Sequence, residues 1–526
     1  MKQLSDSTQR KIGVILSYTH IFLQVTVGIL YTPYMLKTIG AAENGLYVAV
    51  SGVAEMLGLF NLGFSASYIR FYSKFKKSGE FNRINSFNSL FFIVFSIISF
   101  LALITGLFLS FNAKLVFNNG LTDDELSKAR IMLLMLTASM AFGFLTTVFT
   151  CYVGANQKFI FSKGTNVLNV ILLLVFNLLV LISGGGAVGL TAVHAFVAIF
   201  LNVLYIFYSF KKLNFRFDFK NIEKALFKEV LFFSSLIAIN LIVDKVNEGL
   251  DSILIARFIG SKAVTPYSIG AKLCGYFTTF SLAIAGVFTP MVHDMVNSYE
   301  MDSKEQRRAL TDLFVKVARF QYILLALILS GFVFFGKTFI SLWVGGGHHD
   351  YDISYYVALV MMIPSIIPLT QNIGIEIQRA ENRHHYRSYI YGVMAVLNLI
   401  ISIILIKKFE GLGAAIGTGI SCVIANCTIM NIVYHKKINI NVFDYFKNIL
   451  LQTLGMLIPF AVGFAINRFA KMYNWLTMLI WIAVYSVVYL IFVWFFSMNK
   501  YEKSTVLKAV DKLFKTNFNN KLFNEA

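Results

Sequence analysis

Charge is what this sequence has least of. Only 14% of its 526 residues are Asp, Glu, Lys or Arg, and 57% are hydrophobic, whereas roughly a quarter of a soluble domain is charged. With a mean hydropathy of +0.69, that scarcity excludes an ordinary soluble fold and places the chain in a membrane class. Cysteine is also sparse. Cys151, Cys274, Cys422 and Cys427 all fall within apolar runs, which argues against disulfides and provides no metal-ligand spacing. No metal site and no cofactor are expected. A cleavable signal is missing too: Arg10 and Lys11 lead into a full-length apolar run with no small-residue cleavage site, so the start reads as a signal anchor.

What is present is long apolar runs. SLFFIVFSIISFLALITGLFLSF, from Ser89, matches the ~20 residues that cross about 30 Å of hydrocarbon. Similar runs recur to the end of the chain. Backbone groups cannot stay unpaired in lipid, and these runs are too long and too uniformly apolar for barrel strands, so the fold class is an all-α polytopic membrane protein. About fourteen spans are expected. Six lie at roughly 13–36, 45–69, 88–110, 131–153, 165–183 and 187–210. Eight follow at roughly 230–256, 265–290, 318–340, 353–377, 388–406, 411–434, 449–467 and 475–497.

The net charge of +19 is distributed by loop. With fourteen spans, 33 of the 46 Lys and Arg fall on one side, 11 on the other, and Lys245 and Lys272 inside spans. The positive-inside rule then puts both termini in the cytoplasm and accounts for the basicity without nucleic acid. In the tail, Leu507, Val510 and Phe514 share a helical face while Lys508, Lys512 and Lys515 point elsewhere, the pattern of a helix on an anionic membrane surface.

The chain also repeats. A shift of 220 residues lays Ile39-Gly40 on Ile259-Gly260, Tyr47 on Tyr267, Leu30 on Leu250, Phe60 on Phe280 and Lys37 on Arg257. Later, NVLN from Asn166 resembles AVLN from Ala395, each followed by an apolar run and a glycine-rich turn. An offset of six spans, an even number, makes this a parallel repeat of two six-helix lobes, related by a pseudo-twofold axis along the membrane normal around a central cavity. The expected organisation is an N-lobe at 1–210, a linker at 211–229, a C-lobe at 230–434, two further spans at 435–498 and a basic amphipathic tail at 499–526.

Three stretches carry a family likeness. YMLKTIGAAENGLYVAVSGVAEMLGLFNLGFSASYIRFYSKF (Tyr34 to Phe75), LDSILIARFIGSKAVTPYSIGAKL (Leu250 to Leu273) and IQRAENRHHYRSYIYGVMAVLNLIISIILIKKFEGLGAAIGTGIS (Ile377 to Ser421) resemble the bacterial polysaccharide and O-antigen flippases. These belong to the multidrug/oligosaccharidyl-lipid/polysaccharide exporter superfamily. The resemblance implies transport of undecaprenyl-pyrophosphate-linked oligosaccharide, as in lipopolysaccharide assembly, from the cytoplasmic to the periplasmic leaflet of the inner membrane. It implies alternating access, often coupled to H+ or Na+ in the manner of an antiporter, and contact with polysaccharide polymerase machinery.

One stretch concentrates the polar candidates. In NLIVDKVNEGLDSILIARFIG (240–260), helical spacing puts Asn240, Asp244, Glu248 and Asp251 on one face, with Lys245 beside it. The matching positions of span one carry His20, Gln24, Gly28 and Tyr31, so both helices aim a polar face into the cavity. A charge at mid-membrane costs about 2.5–3.5 kcal/mol on insertion scales, so the stripe faces water or partners. Asp244, Glu248 and Asp251 are the candidates for cation coupling; a Lys245–Glu248 pair that only offsets its own desolvation is the competing reading. Lys245, Lys272 and Arg257 are the basic candidates for pyrophosphate, with His20, Gln24, Tyr31 and Asn240 lining the cavity. Glu55 and Glu376 are gate or cavity groups, or simply bonded between helices. His194 reads as a packed histidine. His348-His349-Asp350 is a weak metal candidate because adjacent histidines chelate poorly, and His384-His385 with Arg383 and Arg387 reads as a loop at the membrane surface.

Lipid II flippases carry arginine on span one, where this chain has only His20 and Gln24, which disfavours lipid II as substrate. A drug or small-molecule exporter of the same superfamily usually has twelve spans. A membrane enzyme of polysaccharide assembly would need a substantial periplasmic loop or a cytoplasmic catalytic domain, and the longest periplasmic loop expected, Phe111 to Arg130, has no paired His or carboxylate constellation of a catalytic site. No catalytic residues are expected.

Overall fold

The chain's computed structural model describes residues 6–118, 120–345, 351–381 and 383–514. The side chains of Asn240, Asp244, Lys245 and Glu248, the His348-His349-Asp350 loop and the tail beyond 514 lie outside what is described. Among the described residues the chain forms helices and no strand. In order these are α1 (Asp6–Leu57), α2 (Phe64–Lys77), α3 (Phe81–Phe111), α4 (Ala113–Phe117), α5 (Asp123–Ala155), α6 (Phe159–Ile182), α7 (Gly186–Leu213), α8 (Lys224–Phe258) and α9 (Ser261–Ser298). There follow α10 (Lys304–Trp343), α11 (Asp352–Thr370), α12 (Asn372–Ala380), α13 (His385–Cys422), α14 (Met430–Lys436), α15 (Val442–Leu454), α16 (Leu457–Phe469), α17 (Trp475–Phe492) and α18 (Lys500–Phe514).

Local chemistry sets the helix starts. α5 opens on a capping box between Thr122 and Glu125, with Asp123 and Asp124 also in its positive first turn. α17 opens on the same device with Asn474 and Thr477. By length and composition nine helices among the described residues can cross a membrane, or up to eleven if each bent pair is one span. Two of the nine are too long for one crossing. Lys11–Lys77 and His385–Lys436 have 67 and 52 residues, about 100 and 80 Å at 1.5 Å per residue. Each is divided by a residue off helical dihedrals, Gly40 (φ 77, ψ 174) and Glu410 (φ 52, ψ −132). The expected charged span 230–256 is helical along its backbone, within α8. Nine to eleven candidate spans among the described residues, two of them divided, stand beside the expected total of about fourteen. Gly40 and its repeat partner Gly260 both take positive φ, a conformation open to glycine at little cost.

The chain divides into two compact units, one of residues 1–268 and 395–417, the other of 269–394 and 418–526. The first unit is consolidated by aromatic residues. Tyr68, Phe71, Tyr72, Phe75, Phe87, Phe91, Phe149 and Phe215 form one buried cluster, where Tyr68 donates to Asn88 Oδ1 at 2.6 Å and Tyr72 to Asn156 Oδ1 at 2.9 Å. The second unit has one core around Phe314, Ile373, Ile377, Tyr434 and Tyr445. A further core, around Phe335, Met456, Tyr485 and Tyr489, seats α16 and α17 on α10.

Candidate functional site

Three helices of the second unit are interrupted, and the interruptions meet. Pro368 has no N–H to give and clashes with the preceding turn, and the chain breaks two residues later, between α11 and α12. α9 bends by 44° between the segments Ser261–Gly286 and Phe288–Ser298. Between α13 and α14, Val423–Ile429 runs as a π-helix, a rare geometry that recurs at functional sites. Pro368, Gly286 and Asn426, one from each interruption, line a single cavity of about 420 Å³. Interrupted membrane helices are where transporters build their binding sites, because unwound backbone is tolerated at that depth only against protein or water.

Helical spacing explains the lining. Thr278, Leu282, Ala285 and Thr289 share one face of α9; Asn372, Glu376 and Arg379 share one face of α12; Arg387 and Tyr391 are one turn apart on α13; and Asn426, Met430 and Tyr434 follow at intervals of four. The polar groups are held in place. Asn372 donates to Ser281 Oγ at 3.1 Å, Gln371 to Asn431 Oδ1 at 2.8 Å, and Tyr391 to Asn426 Oδ1. Arg379 Nη1 donates to Glu376 Oε1 at 2.7 Å, its side chain 58% exposed, and the Arg387 guanidinium stacks over Tyr391, its carbon 4.6 Å from the ring centre. With the amino end of α12 at the same place, the cavity favours an anion.

Beside it runs an ion network. Arg307 pairs with Glu381 at 2.5 Å and with Asp302, and Arg383 donates to Asp302 Oδ2 at 2.6 Å and to the Lys437 carbonyl at 3.0 Å. Hydrogen bonds first from Arg383 and then from Arg307 hold the Asp302 carboxyl below its usual range. This network ties the turn before α10 to the turn before α13.

The residues singled out from the sequence are distributed over both units. Asp251 is buried and accepts a hydrogen bond from Tyr267 at 2.7 Å. Arg257, read as a cavity cation, directs its guanidinium to the Leu115 and Val116 carbonyls at 2.5 and 2.8 Å, fastening the end of α8 to α4. His20 and Tyr31 are half-buried on α1, while Gln24 and Glu55 are exposed there; Tyr31 and Glu55 lie within electrostatic reach of Tyr47, which meets His194 edge-on. Lys272 is exposed on α9. Of all these, Glu376 lines the cavity, together with Arg387, which the sequence placed at a surface loop, and Arg379, which it did not single out. The signals available were Pro364 and Pro368 inside an apolar run, and two arginines eight residues apart on either side of a helix break.

In the first unit the two repeat starts lie against each other. A Cβ on Gly45 would stand 1.8 Å from the Ser261 carbonyl oxygen, and one on Gly52 would stand 3.2 Å from that of Gly249. Asn44 donates to Thr265 Oγ1 at 3.0 Å, Thr265 to the Ala41 carbonyl at 2.6 Å, and Ser261 to Glu125. Glycine permits this backbone approach, and the polar groups close it.

Comparison with known proteins follows the same lines. The family model described as "Polysaccharide biosynthesis protein" matches residues 11–296. An uncharacterised membrane protein of Methanocaldococcus jannaschii, MJ1068, is 22% identical over 416 residues, covering 77% of this chain and 79% of that one. Among solved structures, the lipid II flippase MurJ in an inward closed conformation superposes with a TM-score of 0.70 at 18% identity, covering 91% of this chain and 97% of the other. An inward-facing multidrug resistance MATE family transporter of the MOP superfamily superposes with a TM-score of 0.62 at 12% identity, covering 76% and 96%. These likenesses establish a shared fold of a multi-pass membrane protein.

Proposed function

The chain belongs to the polysaccharide biosynthesis protein family, and from that premise we propose that it flips an undecaprenyl-pyrophosphate-linked oligosaccharide from the cytoplasmic to the periplasmic leaflet. The observation that carries this reading is the cavity where three interrupted helices meet, a transporter's construction on a fold shared with MOP-superfamily carriers. The close, polar meeting of the two repeat starts supports alternating access, which needs one end sealed while the other is open. Both termini face the cytoplasm of the inner membrane in this reading, following the excess of Lys and Arg in loops on that side.

Coupling to an H+ or Na+ gradient falls to Asp244, Glu248 and Asp251, whose spacing in the sequence is that of one helical face. Asp251, buried against Tyr267, is the member whose surroundings are defined. Lys245, Lys272, Asn240, His20, Gln24 and Tyr31 contact the travelling head group, and the flipped product passes to polymerase machinery.

Deleting the gene tests the reading. Lipid-linked glycan builds up in the cytoplasmic leaflet and surface polysaccharide falls. Unchanged surface polysaccharide with no such build-up overturns the proposal, and altered drug tolerance in its place assigns the chain to the exporter branch. Asp251→Asn lowers export at unchanged membrane insertion; wild-type export by that variant removes Asp251 from the coupling mechanism.

A further inference from the structure

The cavity of the second unit contains a second set of basic groups, separate from those on α8 and α9 discussed so far. We infer that Arg379 and Arg387 form a docking subsite for the diphosphate of a polyprenyl-diphosphate head group, with Glu376 as the built-in carboxylate that occupies Arg379 when no ligand is bound. This rests on the proposed transport of a diphosphate lipid and assigns one subsite within it.

The geometry supports each part. Arg379 ends α12 and Arg387 begins the next helix, and both line the same cavity. A guanidinium offers five donors in a planar fork suited to two phosphate oxygens. On Arg379 the structure directs one donor, Nη1, to Glu376, and the side chain's 58% exposure leaves it within reach of a head group. Arg387 is oriented by its stack on Tyr391, 4.6 Å from guanidinium carbon to ring centre, and Tyr391 is itself fixed by its bond to Asn426. Around them Thr278, Thr289 and Gln371 add neutral polar lining. Two arginines against one glutamate leave the lining with a net charge of +1, and an arriving diphosphate supplies what Glu376 supplies at rest: oxygens for Arg379. The volume, about 420 Å³, lies within the range of small-molecule sites. It suits a head group, and the prenyl chain remains outside.

Displacement of Glu376 gives the inference its sign. Removing either arginine weakens binding of a diphosphate, whereas removing the Glu376 charge strengthens it. A role confined to holding the fold together predicts no such opposition.

The experiment uses the full chain in lipid nanodiscs with undecaprenyl diphosphate as probe, undecaprenyl monophosphate as comparison and inorganic pyrophosphate as competitor. Expected are tighter binding of the diphosphate than of the monophosphate lipid, about tenfold weaker diphosphate binding for Arg379→Gln and for Arg387→Gln, partial retention in Arg387→Lys, and severalfold tighter binding in Glu376→Gln. Elution profile and melting temperature accompany each variant, and the tighter binding of Glu376→Gln cannot arise from misfolding. Wild-type affinity in the folded arginine variants, or weaker binding in Glu376→Gln, overturns the subsite while leaving the transport reading in place. Inorganic pyrophosphate binding as tightly as the lipid overturns the lipid assignment in favour of a free anion. No binding of either lipid by the wild-type chain overturns the subsite and, joined to unchanged glycan in the deletion strain, the transport reading as well.

Discussion

Replacing Glu502 with alanine should release the C-terminal helix from the second unit. The Glu502 side chain is 1% exposed and that of Arg319 8%. Arg319 donates to both carboxylate oxygens, at 2.5 and 2.9 Å, and to the Ser497 carbonyl at 2.9 Å. Glu502 also closes the start of α18, accepting from the Asn499 amide at 2.8 Å while its own amide donates to Asn499 Oδ1 at 2.9 Å. Glu502→Ala leaves a buried guanidinium facing neutral acceptors only. Breaking a buried pair from one side costs about 3–5 kcal/mol. At about 1.4 kcal/mol per decade, the open population of α18 rises by roughly two to almost four decades. Limited trypsin digestion reads this directly, because cleavage at Lys503 and Lys508 tracks the open population when opening is fast. The double variant Arg319→Met/Glu502→Leu removes both charges and restores protection apart from the lost cap, about 1 kcal/mol. Wild-type protection in Glu502→Ala, or a double variant as labile as the single one, refutes the argument that an uncompensated buried charge is the source.

Three further outcomes follow from the same structure. Gly45→Ala, whose Cβ would meet the Ser261 carbonyl oxygen at 1.8 Å, lowers stability by about 1–3 kcal/mol, whereas Gly164→Ala, with nothing within 4 Å, does not; thermal unfolding in detergent separates the two. Asp302 is held below the unfolded Asp value, near 3.9, by Arg383 and then Arg307. Its contribution is therefore complete above that value and lost as pH falls through the lower folded one, so protection of the 299–303 turn from hydrogen exchange drops below about pH 4, and Asp302→Asn removes that step. In a cysteine-free background, single thiols at the exposed positions Ser183 and Lys471 react with an impermeant reagent on intact cells and those at Ser78, Asn221 and Asn439 do not; reaction at Ser78 would refute the orientation, and a broken alternation the count of fourteen.

Apolar runs made the fold class legible, because about 20 residues without charge have few destinations other than a bilayer. The repeat was legible for a related reason. Gly40 and Gly260 must both be glycine-like at φ 77 and 129, a local backbone demand that leaves the same letter at both positions. Arg257 shows where that reasoning stops. Its spacing on α8 is that of a residue near the polar stripe, but its partners, the carbonyls of Leu115 and Val116, are some 140 residues away and contribute backbone atoms with no letter of their own.

The cavity was hidden for a different physical reason. A helix break inside an apolar span does not alter the hydropathy that identifies the span, so Pro368 and the π-helical turn at Val423–Ile429 pass unnoticed while the run still reads as one crossing. Arg379 and Arg387 were masked by the opposite effect: arginines at the end of a span are what the positive-inside rule leads one to expect, and that expectation absorbs them as topology. Glu376 had no such cover. A carboxylate within an apolar run requires a partner, and in the structure that partner is Arg379, at 2.7 Å. An acid that sequence reasoning can flag therefore points to the base that it cannot. The same logic makes Glu376→Gln the more informative substitution at this site, since deleting an arginine weakens anion binding under many hypotheses, whereas a gain on deleting an acid requires that the ligand be an anion placed close to that acid, opposed by its charge or by its hold on Arg379.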